Sequence, residues 1–212
     1  MSRVTLLRPK HLLFGAFGLM ALFVLWNNER FLIDASADVW VRYDPIRLHL
    51  LPHGVGGVLA LAIGATQFSS RLRRKHLRVH RFLGKVYIIS NFVLAPVAIL
   101  MALKISPWFM TVFTIVQGAT LMVFTAAAYW SIRHKNVAQH REWMVRSYAV
   151  LLVFLEGRVL MAIPAIGQQG MDSVVLVNWA CFAVSLVVAE FVLRWRDLFP
   201  VRGNPMPALR EE

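Results

Sequence analysis

Two histidines occupy matching basic settings in this 212-residue chain. His80 opens the string His80-Arg81-Phe82-Leu83-Gly84-Lys85-Val86-Tyr87. His140 opens His140-Arg141-Glu142-Trp143-Met144-Val145-Arg146-Ser147-Tyr148. Each stands at the mouth of a long apolar run. Two neutral imidazoles facing each other across a helix bundle can hold the iron of a b-type haem. Gly84, one turn from His80, would leave room for the ring, and Arg78, Arg81, Arg141 and Arg146 would pair with its propionates. A quinone near the same face is the alternative redox-active occupant. The same His-Arg pairs also suit plain headgroup-facing charge with no cofactor at all. Neither histidine has a second one about four turns downstream on its helix, so the pattern offers one haem and not two.

A second polar group gathers toward the other ends of the runs: His53, Glu156 and Arg158. Arg158 follows His140 by 18 residues, five full turns, and so shares its helix face. It is positioned to meet His53, a quinone carbonyl or an anionic headgroup, unless it snorkels to the interface. Glu156, two residues away, points elsewhere. Together the three would suit a proton or small-molecule carrier, although the chain shows no repeated halves. His49 and His53 share a face and make half a metal site, with Asp34, Asp38 and Asp44 as the only further ligands nearby. Asn91 and Gln117 lie deeper, and Glu190 is expected to pair with a basic residue at its own end. There is no GxSxG, no HExxH and no phosphate-binding loop, so a hydrolase or an ATPase has no support. Cys181 is the single cysteine, which excludes an internal disulfide and a CxxC pair.

The elements that must carry these residues are membrane helices. The chain is 58% hydrophobic and only 16% charged, where a soluble domain carries about a quarter charged residues. Apolar runs cover about 11–26, 48–68, 83–103, 108–130, 143–164 and 173–193. A span needs about 20 mainly apolar residues, which predicts an all-α bundle of six transmembrane helices in one integral membrane domain. Net charge is +12, and it is concentrated between runs. Arg3, Arg8 and Lys10, then Arg71 to Lys85, then Arg133, Lys135 and Arg141, then the C-terminal arginines all fall on one side of six spans. The positive-inside rule then makes both termini cytoplasmic. The predicted location is the cytoplasmic (inner) membrane of a bacterium. The predicted partners are anionic headgroups, with a membrane redox partner or a second copy of the chain. Nucleic acid is excluded because no basic recognition element stands on a soluble face.

Finer features fit the same plan. The first run reads as an uncleaved helix, since Glu29, Arg30 and Asp34 separate it from the cleavage-like triplet Ala35-Ser36-Ala37. Trp26, Trp40, Trp108, Trp130, Trp143 and Trp195 mark run ends as an aromatic belt. Gly56, Ala60 and Gly64 form a close-packing seam. Pro96 and Pro164 are expected to kink or end their helices. Residues 201–212 read as a flexible tail.

The string Gly64-Ala65-Thr66-Gln67-Phe68-Ser69, with Arg71-Leu72-Arg73 and the His80 and His140 strings, resembles a bacterial family of predicted multi-pass membrane proteins. It is a domain of unknown function of the DUF2306 type. The resemblance runs from the second apolar run onward. It implies a membrane protein and draws attention to His53, His80, His140, Arg146 and Arg158, and it implies no activity. The functional expectation is a membrane redox component holding a b-type haem or a quinone near the cytoplasmic side. The alternatives are a non-catalytic accessory or lipid-binding subunit, and the carrier.

Overall fold

Long apolar runs favour helix, because lipid offers no partner for an unpaired backbone group. The computed structural model describes residues 9–29, 32, 34, 40 and 44–198. The triplet Ala35-Ser36-Ala37, Asp38 and the tail 201–212 lie outside the described residues. Among the described residues the regular structure is entirely helical. Helix α1 is Pro9–Asn27, and a short 3-10 turn, Asp44–Ile46, leads into α2, Arg47–Gln67. Then come α3, Ser70–Lys75, and α4, Leu77–Ile105. They are followed by α5, Trp108–Arg133, α6, Val137–Met161, α7, Pro164–Gly167, and α8, Met171–Leu198.

Capping explains several of these ends. The Ser69 hydroxyl accepts the Leu72 N–H at 3.2 Å, which starts α3 at the head of the basic segment. The Asn136 side chain accepts the Gln139 N–H at 3.0 Å and starts α6. Pro164 opens α7 after α6 has ended, whereas Pro96 stays inside an unbroken α4.

Four helices are long and apolar enough to cross a membrane: α2, α4, α5 and the Met171–Trp195 part of α8. Helix α1 adds a shorter apolar stretch, Phe14–Asn27. Helix α6 has the length but carries Arg146, Glu156 and Arg158 in its apolar part. The reason is its position. It packs against α5 and α8, with α1 and α2 also on it, and it buries Val150, Leu151, Leu152, Val153 and Leu155. A helix enclosed by its neighbours can place polar groups against protein rather than lipid.

Burial is inverted relative to a water-soluble domain. Leu19, Leu48, Phe82, Leu176 and Val187 lie on the outside, while Asn91, Thr125 and Ser147 are fully buried. The α2–α4 contact is built on the small-residue seam. Gly56, Ala60 and Gly64 are all buried. A Cβ on Gly56 would stand 3.2 Å from Leu94 Cβ, and one on Gly64 would stand 2.6 Å from the Tyr148 ring and 2.8 Å from Tyr87.

Gly64→Ala should therefore lower stability by about 1–3 kcal/mol, the range for overpacking a filled site. Gly57→Ala, whose Cβ meets nothing within 4 Å, should not lower it. Thermal unfolding of the detergent-extracted full chain compares the two.

Candidate functional site

Three polar layers follow one another through the bundle. The first lies at the arginine-rich end. The His140 ring sits with Nδ1 2.8 Å from the Ala128 carbonyl. A carbonyl only accepts, so Nδ1 carries the proton and Nε2 is left for a further partner. His80, in the first turn of α4, has a buried Nδ1 with no hydrogen-bond partner. Its ionisable neighbours are Arg73, His140 and Arg81. Arg73 donates to the Gln67 carbonyl at 3.1 Å. Burial, then Arg141 and Arg74, hold its guanidinium below the usual arginine range. Among the described residues no carboxylate pairs with Arg73, Arg81 or Arg141.

A Cβ on Gly84 would meet the end of the Gln67 side chain, Oε1, in ordinary contact at 3.4 Å. One expected member of this layer stands differently. Arg146 turns to another face of α6. It donates to Glu190 through Nε at 2.5 Å and Nη2 at 3.2 Å, and to Glu142 through Nη1 at 3.3 Å. Its guanidinium also lies 4.8 Å from the Trp143 ring centroid. These groups line a recess of about 530 Å³ between α5, α6 and α8.

The second layer is a buried chain of hydroxyls. Tyr87 Oη and Ser147 Oγ are 2.8 Å apart, Ser147 Oγ and Thr125 Oγ1 are 2.8 Å apart, and Asn91 Nδ2 donates to Thr125 Oγ1 at 3.1 Å. Asn91 Oδ1 is buried without a partner. Tyr148 donates to the Leu61 carbonyl at 3.1 Å, which ties α6 to α2. Helices α4, α5 and α6 are thereby joined by side-chain hydrogen bonds in a medium that offers no substitute. Nothing in the sequence marks Thr125. The signal for Tyr87 and Ser147 is spacing, for each follows its histidine by seven residues, two turns on the same face.

The third layer is a cavity of about 460 Å³ between α1, α2, α4, α5 and α6. Its walls are mainly apolar, and His53, Glu29 and Gln117 also line it. His53 Nδ1 lies 3.3 Å from the Leu94 carbonyl, and Gln117 Nε2 donates to the Val150 carbonyl at 3.2 Å. Burial pushes the Glu29 carboxyl above the usual carboxylate range, against the opposing pull of Arg158. Arg158 itself is exposed, 5.3 Å from the Phe154 ring centroid. The signal for Glu29 in the sequence is its charge, opposite to that of Arg158. Glu156 does not join this layer. It accepts a hydrogen bond of 2.7 Å from Ser185 Oγ between α6 and α8. Among the described residues no group of three or more His, Cys, Asp or Glu could hold a metal ion.

The family model described as predicted membrane protein (DUF2306) matches residues 50–193. The match covers more than half of the chain, and the chain belongs to that family. It takes in His53, His80, His140 and Arg158 and leaves out α1 with Glu29. No curated protein and no solved structure matches the chain.

Ser147 links Tyr87 to Thr125 in the middle of the chain, so Ser147→Ala should destabilise more than Tyr87→Phe. A buried group left stranded costs about 1–3 kcal/mol, whereas an ordinary side-chain hydrogen bond between membrane helices averages about 0.6 kcal/mol. Unfolding of both variants and of the double variant in detergent gives the comparison and the coupling.

Proposed function

We propose that this membrane protein is a redox component that holds one b-type haem between His80 and His140. Helices α1, α2, α4, α5, α6 and α8 make six crossings, and both termini are cytoplasmic. The orientation follows from charge. The ends on the haem side carry Arg71, Arg73, Arg74, Lys75, Arg78, Arg81, Arg133, Lys135 and Arg141. Among the described residues the opposite ends carry Arg47, Lys104 and Arg158.

The observation that carries the haem reading is the His140–Ala128 contact of 2.8 Å. A hydrogen bond from Nδ1 to a backbone carbonyl fixes ring orientation and raises the basicity of Nε2, as it does for metal-bound histidines generally. His80 stands in the same layer, and Arg73, Arg81 and Arg141, which pair with no carboxylate among the described residues, supply charge for two propionates. Gln67 would be a wall of the site. Arg146, committed to Glu142 and Glu190, would anchor α6 to α8 instead of touching the cofactor. Bound haem supplies one-electron transfer.

A second reading has its own support. Arg71, Arg74, Lys75, Arg78 and Arg81 are all exposed around α3. They favour a lipid-binding accessory subunit, held to anionic headgroups at about 1 kcal/mol per basic residue. On that reading, liposome binding by a peptide spanning 71–81 falls steeply with added salt.

Full-length protein made with ample haem and extracted from membranes should show a Soret band that is lost in His80→Ala and in His140→Ala. A colourless preparation would remove the haem reading. Reporters fused after Arg74 and after Lys135 should both report the cytoplasmic face, and signals from opposite faces would remove the six-span topology.

A further inference from the structure

We infer that the cavity between α1, α2, α4, α5 and α6 binds a lipid-soluble quinone or its quinol, with His53 and Glu29 meeting the ring oxygens. This site is separate from the haem site, since neither His80 nor His140 lines it.

The volume, about 460 Å³, lies within the range of small-molecule sites, roughly 300–1,000 Å³. The space comes from side chains that are missing. Gly18 and Gly57 line it, and a Cβ on either would meet nothing within 4 Å. Phe14, Phe17, Leu121 and Phe154 give it flat apolar walls. An acyl chain could fill this volume, but it would leave the polar lining without partners.

The lining chemistry selects the head. His53 commits Nδ1–H to the Leu94 carbonyl, which leaves Nε2 as an acceptor for a quinol hydroxyl. The Glu29 carboxyl, pushed up by burial, donates in its protonated form to a quinone carbonyl and accepts in its ionised form. Gln117 has spent Nε2 on Val150, so its carbonyl oxygen remains as a further acceptor. Groups that both give and take hydrogen bonds suit a ring that presents carbonyls when oxidised and hydroxyls when reduced. An aliphatic alcohol would engage one of them and leave another unmet.

The test uses the full chain in lipid nanodiscs and an azido derivative of menadione, cross-linked by light and mapped by mass spectrometry. Label is expected on α1 and on the first half of α2 around His53. Unlabelled menadione and menadiol should compete, and oleic acid should not. Gly57→Leu, which plugs the cavity from a position with open space, should cut labelling at least tenfold. So should His53→Leu combined with Glu29→Gln. Labelling should persist in His140→Ala, which separates this site from the haem. Equal competition by oleic acid would make the cavity an acyl-chain slot and overturn the inference. So would unchanged labelling in Gly57→Leu, or label spread evenly over the lipid-facing helices.

Discussion

The bare backbone of Gly64 is the point at which the two halves of the bundle meet. The Tyr148 ring from α6 and the Tyr87 ring from α4 both close on it, near enough that a single added methyl would collide with each. With the rings seated there, Tyr87 reaches Ser147 and Tyr148 reaches the Leu61 carbonyl. Everything else polar in the interior is placed relative to these contacts. In water a misplaced hydroxyl finds a solvent partner, whereas in hydrocarbon it finds none. The packing of one glycine therefore controls whether a network of buried hydroxyls is satisfied.

The network in turn divides the interior. On one side of it, two turns back along α4 and α6, are the two imidazoles with their neighbouring arginines. On the other side is the cavity, lined by Tyr148, Leu121, His53 and Glu29 among others. The dividing layer is closed: Tyr87, Asn91, Thr125 and Ser147 have essentially no exposed surface. A haem at one face and a quinone at the other would thus be held apart by the element that joins the helices.

The charged residues of α6 show how depth and facing separate structural from functional roles. Arg146 and Glu156 both face α8. The first forms ion pairs with Glu142 and Glu190, and the second accepts from Ser185. Both are consumed in fastening two helices together, and α6 can carry them because its neighbours enclose it. Arg158, near the helix end, faces outward but still feels Glu29 and His53 electrostatically. Three ionisable groups within thirteen residues of one helix thus belong to three different surroundings.

Helix identity and membrane character were legible from the chain alone, because both depend on local composition: long apolar runs, basic segments between them, small residues at four-residue spacing. The Gly56-Ala60-Gly64 seam was read correctly as packing for the same reason, since spacing along one helix fixes a face. Grouping of side chains from different helices was not legible. His53, Glu156 and Arg158 looked like one set, yet Glu156 faces α8 and Glu29, just past the end of α1, takes its place. Periodicity sets the direction of a side chain about its own axis, but which neighbour stands there depends on how the helices rotate and cross. That is decided only when the whole bundle packs.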